Sequence, residues 1–387
     1  MSPRRLFKFG VGGIFFLLPL FFLLPPIANT IEAQLTASKF LVCFFLGAIA
    51  LSTLVYLCGQ SYLAIVNLLL SLSVFLVGMR ATAMAPYVYW VAALATALFF
   101  VRTDDDSQEF FFKAVVYAAV VSSVLGFFQA MDLDPILSYA PTITEADRRL
   151  PIGLLGQATK HGAFLAIALG MALGLRQWVA AAFILAGVIL TNSSFTWLAA
   201  GGAILVWTRH EWGWRMALRL VCAGLGFVLL VYLLRSEHTM DNGRFAIWEA
   251  TLSAWWNGPR YLGFGLGSFA APTGPGQTLF AQFFQPKYLL EYGSFMQAHN
   301  DYLQLIFEMG FLGIMGIVSG IYFLGRYYVA SLLSGEKKLV VIVAAECGLM
   351  AILLNAIGNF PFQLAPHYLL AVIFVALLLE KSGYNKL

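Results

Sequence analysis

Apolar runs recur along the 387-residue chain and are separated by polar breaks. A helix that crosses a bilayer needs about 20 largely apolar residues. Runs of that kind lie near 10–28, 40–58, 61–79, 84–101, 111–130, 154–175, 177–191, 193–208, 216–234, 301–325, 339–357 and 366–380. They predict an all-α polytopic membrane protein with about 12 transmembrane helices, residues 1–387 forming a single integral membrane domain. The pair 177–191 and 193–208 is short for two spans. It also reads as one kinked hairpin that turns at Thr191-Asn192-Ser193-Ser194. The first run follows Arg4-Arg5 but is long for a signal peptide and contains Pro19, Pro25 and Pro26, so it reads as a retained helix.

Composition narrows the picture further. Hydrophobic residues make up 60% of the chain, with 34 Phe and a mean hydropathy of +0.82, whereas charged residues make up 11%. A soluble domain carries about 25% charge. A soluble interior of this size cannot hide that much apolar surface. Soluble enzymes, disordered chains and disulfide scaffolds are excluded. The net charge is +4, and the basic residues are too thinly spread for a nucleic-acid footprint. Cys43, Cys58, Cys222 and Cys347 all fall in apolar runs without metal-ligand spacing and read as small buried hydrophobes. With the N-terminus in the cytoplasm, the larger share of Lys and Arg falls on the cytoplasmic side, which predicts both termini inside.

Two polar segments then face outward. The shorter, 131–153, carries Asp132, Asp134, Glu145, Asp147, Arg148 and Arg149. The longer is a periplasmic loop over 235–298, and a loop of that length is commonly functional. In the longer segment Asn242-Gly243 signals a turn, and a helix is predicted from Arg244. Its apolar face is Phe245, Trp248, Leu252 and Trp255 or Trp256, suited to the membrane interface. The alternating glycines Gly263, Gly265 and Gly267 let backbone pack closely or present N–H groups to an anion. His299 is expected at the mouth of the span 301–325, with Asn300 and Asp301 beside it. Glu308 lies about 13 Å further along, drawn into the bilayer. An ionisable residue there is either functional or accepts bonds from neighbouring helices. Asp301 is two residues from His299 and on a helix cannot orient its ring. Asp104-Asp105-Asp106 resembles a metal-holding acidic cluster, but its place in a short cytoplasmic link reads as a solvated charge run.

The stretch 243–313 resembles the core of the O-antigen ligase/polymerase superfamily of bacterial envelope proteins. The resemblance rests on an ordered set of motifs: Gly243-Arg244 with Trp248, then Gly263-Phe-Gly265-Leu-Gly267-Ser-Phe269, then His299-Asn300 with Leu303, Glu308, Gly310 and Gly313. Upstream, Gly153-Leu-Leu-Gly156-Gln157 is similar to the family's start of a span, with Gln157 in place of Asn. One departure stands out. Where the family carries Ser-Arg, this chain reads Thr191-Asn192-Ser193-Ser194-Phe195. The corresponding phosphate contact is then absent or supplied elsewhere, with Arg80, Arg148, Arg149 and Lys160 as candidates on the same side.

The resemblance implies a GT-C-type helical glycosyltransferase of the bacterial inner (cytoplasmic) membrane, with its site facing the periplasm. The implied donor is a glycan on undecaprenyl pyrophosphate. The acceptor is a sugar hydroxyl, on lipid A–core for a ligase or on a lipid-linked repeat unit for a polymerase. Inversion at the anomeric carbon is implied, and neither cofactor, nucleotide sugar nor metal is required. His299 would be the general base, at home near its ordinary pKa of about 6.5. Arg244 would bind the pyrophosphate, helped by Arg148, Arg149 and Arg80, because guanidinium groups take developing phosphate charge bidentately. Asn300, Asp301, Glu308 and Trp248 would support the site. A lipid-linked glycan transporter or flippase is the rival class. Midplane charges on broken, repeated helices would mark it, and here the polar residues gather on one face instead.

Overall fold

The computed structural model describes residues 97, 100–101, 105–133, 151–153, 155, 157–234, 244–265, 267–269, 275–283, 297–334 and 339–381. Among these residues the chain is helical, without strands. In order the helices are α1 (Asp105–Ala130), α2 (Ala158–Gly174), α3 (Trp178–Leu190), α4 (Ser194–Trp212), α5 (Trp214–Leu234), α6 (Arg244–Asn257), α7 (Pro275–Phe283), α8 (Asp301–Met309), α9 (Phe311–Ser334), α10 (Val340–Asn355) and α11 (Ala365–Lys381). A 3-10 turn, Pro361–Gln363, precedes α11. The expected spans 10–28, 40–58 and 61–79, and most of 84–101, lie outside the described residues, as do Cys43 and Cys58.

The bundle is organised around α2, which from Gly162 onward is apolar on all sides and almost wholly buried, as a central helix requires. It meets α10 backbone to backbone. A Cβ at Gly170 would lie 2.8 Å from the Cys347 carbonyl carbon, and one at Gly174 would overlap Ala344. Small residues are what allow two helices to approach this closely. The same pairing makes α2 and α10 antiparallel. α4 packs against both, Gly162 of α2 facing Thr196 and Gly202 of α4 facing Leu354. Aromatic rings close the side of the bundle: Phe112 stands edge-on to Phe374, 5.6 Å between centroids.

At the end of the bundle that holds Ala344, the buried Glu346 of α10 accepts hydrogen bonds from Tyr327 of α9 (2.6 Å) and pairs with His210 of α4. Arg209 lies over the rings of Trp214 and Tyr328, at 5.2 and 5.3 Å. These contacts clamp α4, α9 and α10 together.

Two helices, α1 and residues Phe311–Val329 of α9, are long and apolar enough to cross a membrane, while α2, α3, α10 and most of α11 are shorter apolar helices. The segment 177–208 forms two helices, α3 and α4, joined by a turn at 191–193 in which Asn192 takes a left-handed φ of 48°. Three expectations need correction. The run 111–130 starts earlier, at Asp105, so Asp105 and Asp106 sit in the first turn of α1, where the helix dipole favours them. The run 301–325 is not one helix: Gly310, at φ 60°, separates α8 from α9. Cys222 is exposed on α5 rather than buried.

Candidate functional site

The site is assembled at the other end of the bundle, where α4 begins and α10 ends. A second, smaller core formed by α6, α7 and α8 carries its key residues. On α6 the buried face is Ile247, Ala250, Thr251, Ala254 and Trp255. The expected aromatic face is turned partly outward, with Phe245 59% and Trp256 56% exposed. Alanine and threonine let α6 approach α7 and α8, with Trp255 buried among them while Phe245 and Trp256 stay outside. Trp256 there carries the Arg260 guanidinium over its face at 4.8 Å.

Glu308 holds this small core together. Its carboxylate accepts N–H groups from Gly267 (2.9 Å), Gln304 (3.0 Å) and Phe269 (3.4 Å). The Gly265 N–H reaches the Glu308 carbonyl at 2.9 Å. The glycine-rich loop thus presents its N–H groups to an anion, and that anion is the protein's own Glu308. Gly263, Gly265 and Gly267 take φ of 67°, 98° and 76°, which other residues adopt only at a cost. Glu308 is not drawn into a span, since α8 ends before the spanning helix begins. Burial pushes its carboxyl above the usual carboxylate range, against the pull of the three donors.

α8 is seated on the end of α10. The Asp301 N–H donates to the Ala356 carbonyl (3.0 Å), and the Tyr302 hydroxyl donates to the Leu353 carbonyl (2.8 Å). Asn300 caps the helix, its side-chain oxygen accepting the Leu303 N–H at 3.0 Å. Asp301 does not touch the His299 ring; its carboxylate accepts the Phe362 N–H (2.8 Å) and the Gln363 amide (3.2 Å). Burial raises Asp301 to about 7 despite those donors. These bonds dock α8 against the turn that follows α10, and Phe360 in that turn faces the His299 ring edge-on at 5.3 Å.

His299 itself sits just before the cap at φ 50°. A left-handed backbone at a non-glycine residue is strained, and such strain persists where surroundings over-determine it. Burial, and then the positive charge of Arg244, lower its pKa to about 4. The Arg244 charge is thus near enough to be felt at the His299 ring. Arg244 opens α6 half-buried, its own pKa lowered by burial though a guanidinium stays charged. Its guanidinium carbon lies 5.1 Å from the centroid of the Phe195 ring. Trp248, one turn on, packs edge-on to Phe195 at 6.4 Å and Phe245 at 5.2 Å. Its indole N–H is buried and has no partner among the described residues.

Arg80, Arg148 and Arg149 lie outside the described residues. Sequence reasoning passed over Phe195, Gly358 and Phe360. Phe195 ends the stretch Thr191-Asn192-Ser193-Ser194-Phe195, from which the expected arginine is missing, and contributes an aromatic face there. Gly358 and Phe360 fall in the polar break Gly358-Asn-Phe-Pro361 between two apolar runs, a signal of a tight turn that carried no hint of chemistry.

Helices gathered round a glycine-packed core, with a cation and a neutral imidazole at one end, define an all-α protein of the kind compatible with a membrane. Residues 179–318 match the O-antigen ligase family model. That stretch includes Phe195, Arg244 and His299, and the match supports a relationship to the O-antigen ligase/polymerase superfamily. The match supports an O-antigen ligase-type or related polymerase function and, with it, enzyme activity in polysaccharide biosynthesis. No curated protein matches the chain.

Proposed function

We propose that this protein is a periplasm-facing glycosyltransferase of the cytoplasmic membrane. It moves a glycan from undecaprenyl pyrophosphate to a sugar hydroxyl, on lipid A–core or on a related lipid-linked acceptor. The observation that carries this reading is the convergence of α4, α6 and the turn after α10, which sets Arg244 over Phe195, Phe195 on Gly358 and Phe360 against His299. The acceptor O–H gives its proton to His299 while its oxygen attacks the anomeric carbon. The bond from that carbon to the phosphate oxygen breaks, and the electron pair leaves with the lipid diphosphate. Arg244 takes up the charge that develops there, as a bidentate donor fixed in advance.

The electrostatics suit this order of events. In the free site burial, and after it the charge of Arg244, holds the His299 pKa down. A bound diphosphate neutralises Arg244, which raises the basicity of His299 only when donor is present. The base is strengthened by the substrate it serves.

The test is transfer in vesicles that hold the purified protein and a lipid-linked glycan, with lipid A–core added to one sample and omitted from the other. Transfer to added lipid A–core is expected for a ligase, and lengthened lipid-linked glycan without it for a polymerase. His299→Ala and Arg244→Ala are expected to abolish either product, and Arg244→Lys to recover only part, because Lys makes no bidentate contact. Wild-type transfer by His299→Ala removes His299 from the chemistry.

A further inference from the structure

We infer that Phe195 is a positioning residue: its ring is the seat that aims the Arg244 guanidinium into the site. The inference rests on the reading that Arg244 receives the diphosphate. Three elements converge on this ring. Phe195 lies in the first turn of α4, and at the end of α3 just before it the Thr191 hydroxyl donates to the Val188 carbonyl at 2.7 Å. The Trp197 indole N–H donates to the same carbonyl at 3.2 Å. On one side the ring carries Arg244, and on another it meets the edge of Trp248. On a further side it covers Gly358, where an added Cβ would overlap three ring carbons.

The ring is therefore wedged between α6 and the turn after α10, and the turn reaches His299 through Phe360. Among the described residues no carboxylate pairs with Arg244, and its side chain lies over the Phe195 ring. An arginine left free keeps the rotamer entropy of a long side chain, which binding must then remove. A cation over an aromatic face is held there, more firmly where water is excluded. The ring can thus supply much of the ordering that a carboxylate would supply, without cancelling the charge that the diphosphate needs. A carboxylate partner would compete with the substrate; a quadrupole does not.

The experiment measures donor affinity, with undecaprenyl pyrophosphate as the probe, and kcat/KM for transfer. It uses the full-length protein with phenylalanine, leucine or tryptophan at position 195. Phe195→Leu is expected to weaken both about 5–30-fold, the span of about 1–2 kcal/mol, with Phe195→Trp close to wild type. Gly358→Ala, which displaces the ring, is expected to lose as much as Phe195→Leu. Stepwise fluorination of the phenylalanine at 195 preserves its shape while draining the ring face of charge, so affinity should fall with each fluorine. The deciding comparison is made on Arg244→Ala, where Phe195→Leu is expected to add no further loss of affinity. If Arg244→Ala binds donor normally, the reading of Arg244 fails. If Arg244→Ala weakens binding but Phe195→Leu or fluorination does not, or Phe195→Leu weakens binding equally without Arg244, the positioning role fails.

Discussion

Removing the Glu308 carboxylate should loosen the small core that presents Arg244 and His299. The carboxylate satisfies Gly267 N–H and Gln304 Nε2 at good distance and Phe269 N–H at 3.4 Å, all in a largely buried setting. A buried donor left without a partner costs about 1–3 kcal/mol. Two well-made bonds and one long one therefore put Glu308→Ala at about 3–6 kcal/mol. Glu308→Gln keeps one acceptor oxygen but turns an NH2 toward a backbone N–H, so about 1–3 kcal/mol is expected. Because the glycine loop and α8 belong to a core separate from the main bundle, the loss should be local. Limited proteolysis in detergent should cleave the 259–269 segment in Glu308→Ala well before the bundle helices open, and thermal unfolding should show the order wild type, Gln, Ala. Equal protease resistance and melting in all three proteins would refute the role given to this carboxylate.

Other outcomes concern pH and the far end of the bundle. The base works unprotonated, so activity falls as pH drops through the His299 pKa. With that pKa near 4 in the free site, kcat/KM should hold well below pH 6 before it declines. The acidic limb of kcat, which reports the donor complex, should lie at higher pH than the limb of kcat/KM; coincident limbs at about 6.5 would remove the coupling to Arg244. At the Glu346 clamp, Glu346→Ala leaves His210 and Tyr327 without their shared partner. Breaking a buried pair from one side costs about 3–5 kcal/mol, so a large drop in melting temperature is expected, and an unchanged melt would show that the clamp contributes nothing.

Much of the helical order was legible because apolar runs of spanning length leave few alternatives. The break at Gly310 was not, since Asp301–Met309 and Phe311 onward read as one apolar stretch and only a positive φ at a glycine reveals the boundary. The α6 helix was legible from its spacing, but not which face it buries. Aromatic side chains dominate hydrophobic spacing, whereas close approach to α7 and α8 selected Ala250, Thr251 and Ala254. Arg244 and His299 stood out in the sequence as a cation and an imidazole in an ordered motif set. Phe195 did not: a phenylalanine among 34 carries no signal until its ring is seen beneath a guanidinium. Glu308 was noticed for the cost of its charge, and the glycine loop that consumes that charge lies about 40 residues upstream, beyond the reach of local pattern.

The account stands on Arg244 and His299 acting as one unit. The most direct test is a cycle of Arg244→Ala, His299→Ala and the double variant, each assayed for kcat/KM in glycan transfer. Residues that share a single transition state lose about as much singly as together. The double variant is therefore expected to be no slower than the slower single one. Losses that multiply, each residue contributing independently of the other, would contradict the shared site.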